Sequence, residues 1–417
     1  MKSRERVIKA LSHEEPDRVP IDLGAMGCSG IAAMAYNKLK KYLRIKGGST
    51  KVIDMWQQLA KPELEILERF HVDTIGIWPR SDWKPSQLPD GSDCEIPEGW
   101  ESKKLEDGSE VQLEQGYELA RRPKDGIYFD PIYHPLKDAT IEDLDTFVWP
   151  SPFSFYKMPD PINIDIYLNG LEDEAKYWYY ESDLALVGNF GGSIFEAAYG
   201  LRGFEQFMMD MMINRNFAEK LLDRLVEVNI EYFKRYIDCV GEYVQVIMVG
   251  GEDIGTQNGL EISPNLYREI IKPRQKKLWQ FIKQNSDAFL LVHSCGSIAD
   301  IIDDYADAGI DVINPVQISA KGMNPEYLKQ KYGDKISFWG GGCDTQHVLP
   351  FEGPEKVKEE VRKNISIFAP GGGFVFNQVH DIQYNISPEN IVALFDAAYG
   401  YVKYPLRSTD REKGKRT

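Results

Sequence analysis

Thiols, positive charge and long apolar runs are all scarce in this sequence, and each scarcity excludes something. Five cysteines, Cys28, Cys94, Cys239, Cys295 and Cys343, are spread over 417 residues. An odd, sparse set does not make a disulfide framework; in a reducing compartment, a Cys near a His is better read as a metal or catalytic candidate. Lys and Arg total 49 against 65 Asp and Glu, a formal net charge of −16. That balance argues against nucleic acid or an anionic membrane as partner. The basic run at 411–416 is short and reads as a tail. No uninterrupted apolar stretch approaches the roughly 20 residues of a membrane helix. The N-terminal stretch MKSRERVIKALSHEEPDRVP is charged and lacks the apolar core of a signal peptide, so a cytoplasmic location is expected. There is no internal repeat and no low-complexity linker. With 42% hydrophobic and 27% charged residues, the composition is that of a globular chain with a sizeable core.

Eight short β-branched or apolar runs recur, at 19–24, 73–78, 185–190, 244–250, 289–295, 312–317, 336–342 and 373–378. Runs of this length suit parallel strands buried on both faces, and alternation with helical stretches suggests βαβ units. Eight of them predict an α/β fold, a single (β/α)8 barrel over 1–417. Ser263-Pro264 is a helix start, an N-cap followed by Pro at the first helical position, for a helix through 285. Gly309 ends the helix that begins near Ser297. Ser387-Pro388 opens a last helix to about Tyr401. The segment at about 79–181, between the second and third runs, breaks the pattern. It is rich in Pro, Trp, Tyr and Asp, with a hairpin turn expected at Asp107-Gly108 and a hairpin or loop near Asp125-Gly126. It is expected to cover or flank the barrel mouth, or to meet a second subunit in a homodimer.

Polar residues fall at the ends of the last five runs: Glu252-Asp253, His293-Ser-Cys295, Asn314 to Gln317, Cys343-Asp344, and Asn377 to His380-Asp381. In a barrel these C-terminal ends converge on one mouth, where active sites form. His293 and Cys295 are two apart, so in a strand they face one side. Cys343, two runs further on, is a candidate third ligand. An imidazole and two thiolates suit zinc with a fourth position open. The plainer alternative is a buried polar histidine and two small core thiols. Glu252 and Asp253 are candidates for a general acid or base, or a fourth ligand; the alternative is a helix-capping or solvated pair. Asn314, Gln317, Asn377 and His380 are candidates for binding substrate. The Gly-rich runs at 340–342 and 371–373 lack the Lys-Ser/Thr of a phosphate loop.

These residues resemble a known superfamily. HSCG (293–296) with the later Cys343 is similar to the His-x-Cys…Cys zinc pattern of cobamide-dependent methyltransferases in the uroporphyrinogen decarboxylase superfamily. DRVPID (17–22), GGEDIGTQNG (250–259), NPVQ (314–317), FWGGGCDTQ (338–346) and PGGGFVFN (370–377) add to the likeness. The resemblance implies a (β/α)8 barrel and two competing chemistries. True decarboxylases carry an Arg-rich motif soon after the first strand. Here the stretch reads GAMGCSGIAAMAYNKL, and no arginine lies between Arg18 and Arg44. A multiply anionic porphyrinogen needs cations there.

The resemblance therefore points to a zinc-dependent methyltransferase, moving a methyl group between a corrinoid and a small donor or acceptor, such as a thiol. The corrinoid would arrive on a separate carrier protein, because the D-x-H-x-x-G pattern of such carriers is absent. A decarboxylase, or a non-catalytic tetrapyrrole- or corrinoid-binding protein, is the alternative.

Overall fold

The computed structural model describes residues 1–78, 81–150, 164–401 and 403–404. Seven parallel strands form one curled sheet in chain order: β1 (Thr74–Ile77), β2 (Ala185–Asn189), β3 (Val246–Gly251), β4 (Phe289–His293), β5 (Val312–Asn314), β6 (Ser337–Trp339) and β7 (Phe374–Val375). The earliest expected run supplies the eighth position. Ile21 bridges Phe376 in parallel, Asp22 N donates to Phe376 O at 2.9 Å, and on the other side Asp73 N donates to Ile21 O at 2.7 Å. Those bonds join β7 to β1 and close the ring, so each of the eight expected runs takes its place in the barrel.

Alternation along the strands separates two cores. Val187, Val246, Leu291, Val312, Trp339 and Val375 belong to one buried cluster, while their neighbours Leu186, Ile247, Leu290, Ile313, Phe338 and Phe374 belong to another. Successive strand residues point to opposite faces, so the first set fills the barrel and the second meets the helices. The helix Ser3–Leu11 sends Val7 and Leu11 into the inner cluster. It does so from below, since Ala10 O accepts from Gly373 N just before β7. Ala25, Met26 and Cys28 join the same cluster from the loop after Ile21. His293 is two residues beyond Leu291, so it points inward at the upper rim.

Two of the three expected helix starts hold, while the one expected near Ser297 falls later, at Ile302. Ser263 Oγ accepts from Leu266 N at 3.1 Å, with Pro264 at the first position. The expected single helix runs to Asn285, but Tyr267–Ile271 forms a π turn before Lys272–Asn285. Pro273 has no N–H to offer, which disturbs the regular ladder at that place. Gly309 ends the helix Ile302–Ala308 at φ 108°. The helix Pro388–Tyr401 starts where expected.

Within the intervening segment, Glu101–Lys104 pairs antiparallel with Glu110–Glu114, across the Asp107-Gly108 turn. Tyr117–Arg122 pairs with Asp130–Pro131 across 125–126, completing a four-stranded sheet. This sheet meets the turn between the short antiparallel strands Val52–Asp54 and Leu59–Ala60: Trp56 Nε1 donates to Gln112, and Phe129 N to Trp56 O. Among the described residues, no helix is long and apolar enough to cross a membrane.

Candidate metal centre

The site begins at the end of β4. His293 is 7% exposed, and its Nδ1 lies 2.9 Å from Asn314 Oδ1. Asn314 is held by donating to Trp339 O at 2.9 Å, and it also accepts from the Cys28 thiol at 3.0 Å. An amide oxygen can only accept, so Nδ1 of His293 carries the proton and Nε2 presents a lone pair. Burial lowers the pKa of His293, against the pull of Asp253. The ring is therefore neutral, the form that binds a metal.

Cys295 Sγ stands 3.3 Å from that Nε2. The chain can turn there because Gly296 takes φ +84°, and a Cβ on it would meet Gly255 backbone at 2.5 Å. The loops after β3 and β4 touch at these two glycines. Burial, then the charge of Asp253, pushes the Cys295 thiol well above its ordinary range. A thiol so placed does not ionise unaided; an adjacent divalent cation reverses the sign of that field.

The third member is His380, whose side chain is 29% exposed. Its Nδ1 bonds Asp381 Oδ1. Burial alone would lower its pKa, but the bond and charge of Asp381 outweigh burial and raise it. One ligand atom each of His293, Cys295 and His380 lies within 4.8 Å of the others. Zn–N of about 2.0–2.1 Å and Zn–S of about 2.3 Å in a tetrahedron put ligand atoms about 3.4–3.6 Å apart. The His293–Cys295 pair at 3.3 Å is close to that spacing, and the His380 ligand atom lies within 4.8 Å of both.

Cys343 departs from the expected ligand set. It is fully buried, and its Sγ donates to Glu360 Oε2 at 3.1 Å, on the helix Pro354–Phe368. The cause is local. The strand ends at Trp339, short of the expected 342, and Gly340 and Gly341 take φ +111° and +76°. Two left-handed residues redirect the chain, so Cys343 no longer follows the inward alternation. His380, expected to bind substrate, joins the trio that Cys343 was expected to complete.

The two acids separate. Glu252 is fully buried and accepts from Ile194 N at 2.6 Å and Phe195 N at 2.9 Å, the start of the helix Phe195–Arg202. It caps that helix; burial pushes its pKa up to about 7. Asp253 faces the trio. Its Oδ1 accepts from Cys295 N at 2.6 Å and lies 3.6 Å from His293 Nε2. A shift in register between Met248 and Gly251 precedes the pair and turns Asp253 to this side. Glu196 was missed from the sequence. It accepts from Asp253 N at 3.0 Å, and burial together with Asp253 holds its carboxyl well above the usual range. No sequence pattern marks it, because it sits inside an ordinary helix.

A cavity of about 380 Å³ opens over Cys295 and His380, with Gln257, Gln317, Gln346 and Gln383 on its walls. Among the described residues, no Lys or Arg lines it. Of the expected substrate-binding residues, Gln317 and His380 reach this cavity, while Asn314 and Asn377 do not line it. Asn314 is spent on His293, and Asn377 is fully buried, donating to Asp22 O at 3.1 Å.

Comparison with known proteins follows the same lines. A sequence profile of the family described as Uroporphyrinogen decarboxylase (URO-D) matches residues 157–401, more than half of the chain. A protein named uroporphyrinogen decarboxylase from Pseudoalteromonas atlantica is 23% identical over 231 residues, 53% of this chain and 60% of its own. One of the same name from Methylococcus capsulatus is 28% identical over 182 residues, 44% of this chain and 48% of its own. The chain thus spans about half to three-fifths of such relatives. A solved structure titled methyltransferase from Methanosarcina mazei superposes with a TM-score of 0.60 at 18% identity. That match covers 96% of this chain and 99% of the other, and shows a shared fold.

Proposed function

This chain belongs to the uroporphyrinogen decarboxylase family, and on that premise we propose that it is a zinc-dependent methyltransferase of that family rather than a decarboxylase. The observation that carries the reading is the meeting of His293, Cys295 and His380 beneath a cavity without Lys or Arg among its described lining residues. A porphyrinogen with several carboxylates would need cations on those walls. A small neutral or thiol substrate would not, and about 380 Å³ is in the range of small-molecule sites.

When bound, zinc would lower the pKa of a coordinated thiol and supply a thiolate at neutral pH. The chain's own residues prepare for that. Asn314 and Asp381 each occupy Nδ1 of a histidine and so direct Nε2 inward. Asp253, beside His293 Nε2, is placed to take a proton from an incoming thiol or to hold one near the departing group. Gln317 and Gln257, bonded to each other at 2.9 Å, offer neutral polar contacts to a small acceptor or donor. The methyl group would be exchanged with a corrinoid brought by a separate carrier protein docking over the mouth. A reducing cytoplasm suits five cysteines that are all free.

The test is methyl transfer between methylcobalamin and a panel of small thiols by the purified protein. Transfer lost on chelation and recovered with zinc is expected. Efficient decarboxylation of uroporphyrinogen by metal-free protein would overturn the reading.

A further inference from the structure

A chain of hydrogen bonds runs from the segment inserted between β1 and β2 to Nδ1 of His380, which leaves Nε2 for the metal. Tyr128 OH donates to Gln383 Oε1. Gln383 Nε2 donates to Asp381 Oδ2 at 2.7 Å, and Asp381 Oδ1 bonds Nδ1 of His380. The direction of every bond is fixed by chemistry. A carboxylate can only accept, so Asp381 must face the Gln383 NH2, which turns the Gln383 oxygen toward Tyr128. That oxygen in turn requires the tyrosine to be the donor. Burial, with Asp381 and Tyr384 near, raises the Tyr128 pKa further, so the phenol keeps its proton.

Tyr128 is itself held. The next residue, Phe129, is buried, donates its N–H to Trp56 O at 3.0 Å, and packs edge-on against Trp100 at 5.5 Å. Tyr128 thus lies between a buried anchor and the rim of the cavity, where Gln383 is a wall residue. A half-buried tyrosine finds some partner in most proteins. What is particular here is that its partner, Gln383, continues through one further polar group, Asp381, to a histidine beside Cys295.

We propose that Tyr128 is a positioning residue: through Gln383 and Asp381 it fixes the ring of His380, so that the inserted segment sets the affinity of the metal site. This rests on the zinc reading above. Second-sphere carboxylates on ligating histidines orient the ring and raise its basicity, and their loss costs about 10- to 100-fold in metal affinity. Tyr128 stands two steps further out, beyond Gln383, and losing its one hydrogen bond should cost about fivefold. The inserted sheet would then be part of the site.

The experiment is zinc affinity by competition with a chromophoric chelator, on full-length protein, for wild type, Tyr128→Phe, Asp381→Asn and His380→Ala. Cobalt(II)-loaded samples give the ligand-field absorption, and thermal melts check that each variant is folded. Tyr128→Phe keeps the ring and removes only the hydroxyl. It should bind zinc about fivefold more weakly and shift the cobalt bands with an unchanged melt, while Asp381→Asn weakens binding about 10- to 100-fold. Wild-type affinity and an unshifted spectrum in Tyr128→Phe would overturn this proposal alone. So would full zinc affinity in His380→Ala, since the chain would then end on a residue that is not a ligand. A wild-type protein that binds no zinc would overturn both this proposal and the reading it rests on.

Discussion

The ends of β4 and β6 carry similar sequence signals and meet different fates. Each was expected to deliver a thiol to one metal. At β4 the strand persists through His293, and Cys295 follows at the same side, 3.3 Å from the imidazole. At β6 the strand stops at Trp339, and Cys343 ends against Glu360, fully buried. The difference is three glycines. Gly340 and Gly341 take positive φ, and a side chain at Gly342 would collide with Phe376 at 2.4 Å. A thiol two residues past an inward histidine inherits its direction from the strand, while one beyond a glycine turn inherits nothing.

That contrast can be broken most sharply at Cys295. Replacing it with Ser should reduce zinc content, measured by atomic emission on purified protein, from about one per chain to background. Circular dichroism should stay unchanged, because the inner barrel core does not depend on the metal. Full occupancy in that variant would remove Cys295 from the site. Next in size is Asn314→Ala, which frees Nδ1 of His293 and should weaken zinc binding about 10- to 100-fold in chelator competition. An unchanged affinity would mean that the Asn314 bond does not hold the ring.

The acids at the end of β3 sharpen the comparison from another side, since Glu252 caps a helix while Asp253 faces the trio. The Glu252 carboxyl titrates at about 7 in the fold against an ordinary 4.5. Between those values the folded state holds a proton that the unfolded state has lost. Its contribution therefore falls as pH rises from about 4.5 to 7 and stays low above that. Glu252→Gln, which is always neutral, should lose this pH dependence, about 2–3 kcal/mol of it, while its single acceptor oxygen replaces only one of the two bonds from Ile194 N and Phe195 N. Urea melts at pH 5 and pH 8 would show it; a pH-independent difference would mean that Glu252 is ionised throughout. The smallest effect belongs to Cys343→Ser, which should keep its zinc and change the melting temperature by only a few degrees. Loss of zinc there would return Cys343 to the ligand set.

Much of this arrangement was legible beforehand. Eight apolar runs predicted the barrel because buried parallel strands have no polar face to disguise them. Even the first, which forms a single bridge at Ile21, was visible as a run. His293 and Cys295 were legible because strand geometry alone relates them. His380 was recognised as a site residue but given another role, since its approach to Cys295 depends on how the loop after β7 folds back. Asn377 and Asn314 look like ligand-binding amides in sequence, yet they serve the backbone of the closing strand and the His293 ring. Glu196 and Tyr128 were not legible at all. Their roles come from contacts with Asp253 and Gln383, 57 and 255 residues away, that no local pattern encodes.

The most direct measurement is X-ray absorption at the zinc edge of the loaded protein, which counts sulfur against nitrogen and oxygen in the first shell. One sulfur at about 2.3 Å, from Cys295, with two imidazole nitrogens at about 2.0 Å, from His293 and His380, is expected. Two sulfurs, with one of them lost in Cys343→Ser, would contradict it and restore Cys343 in place of His380.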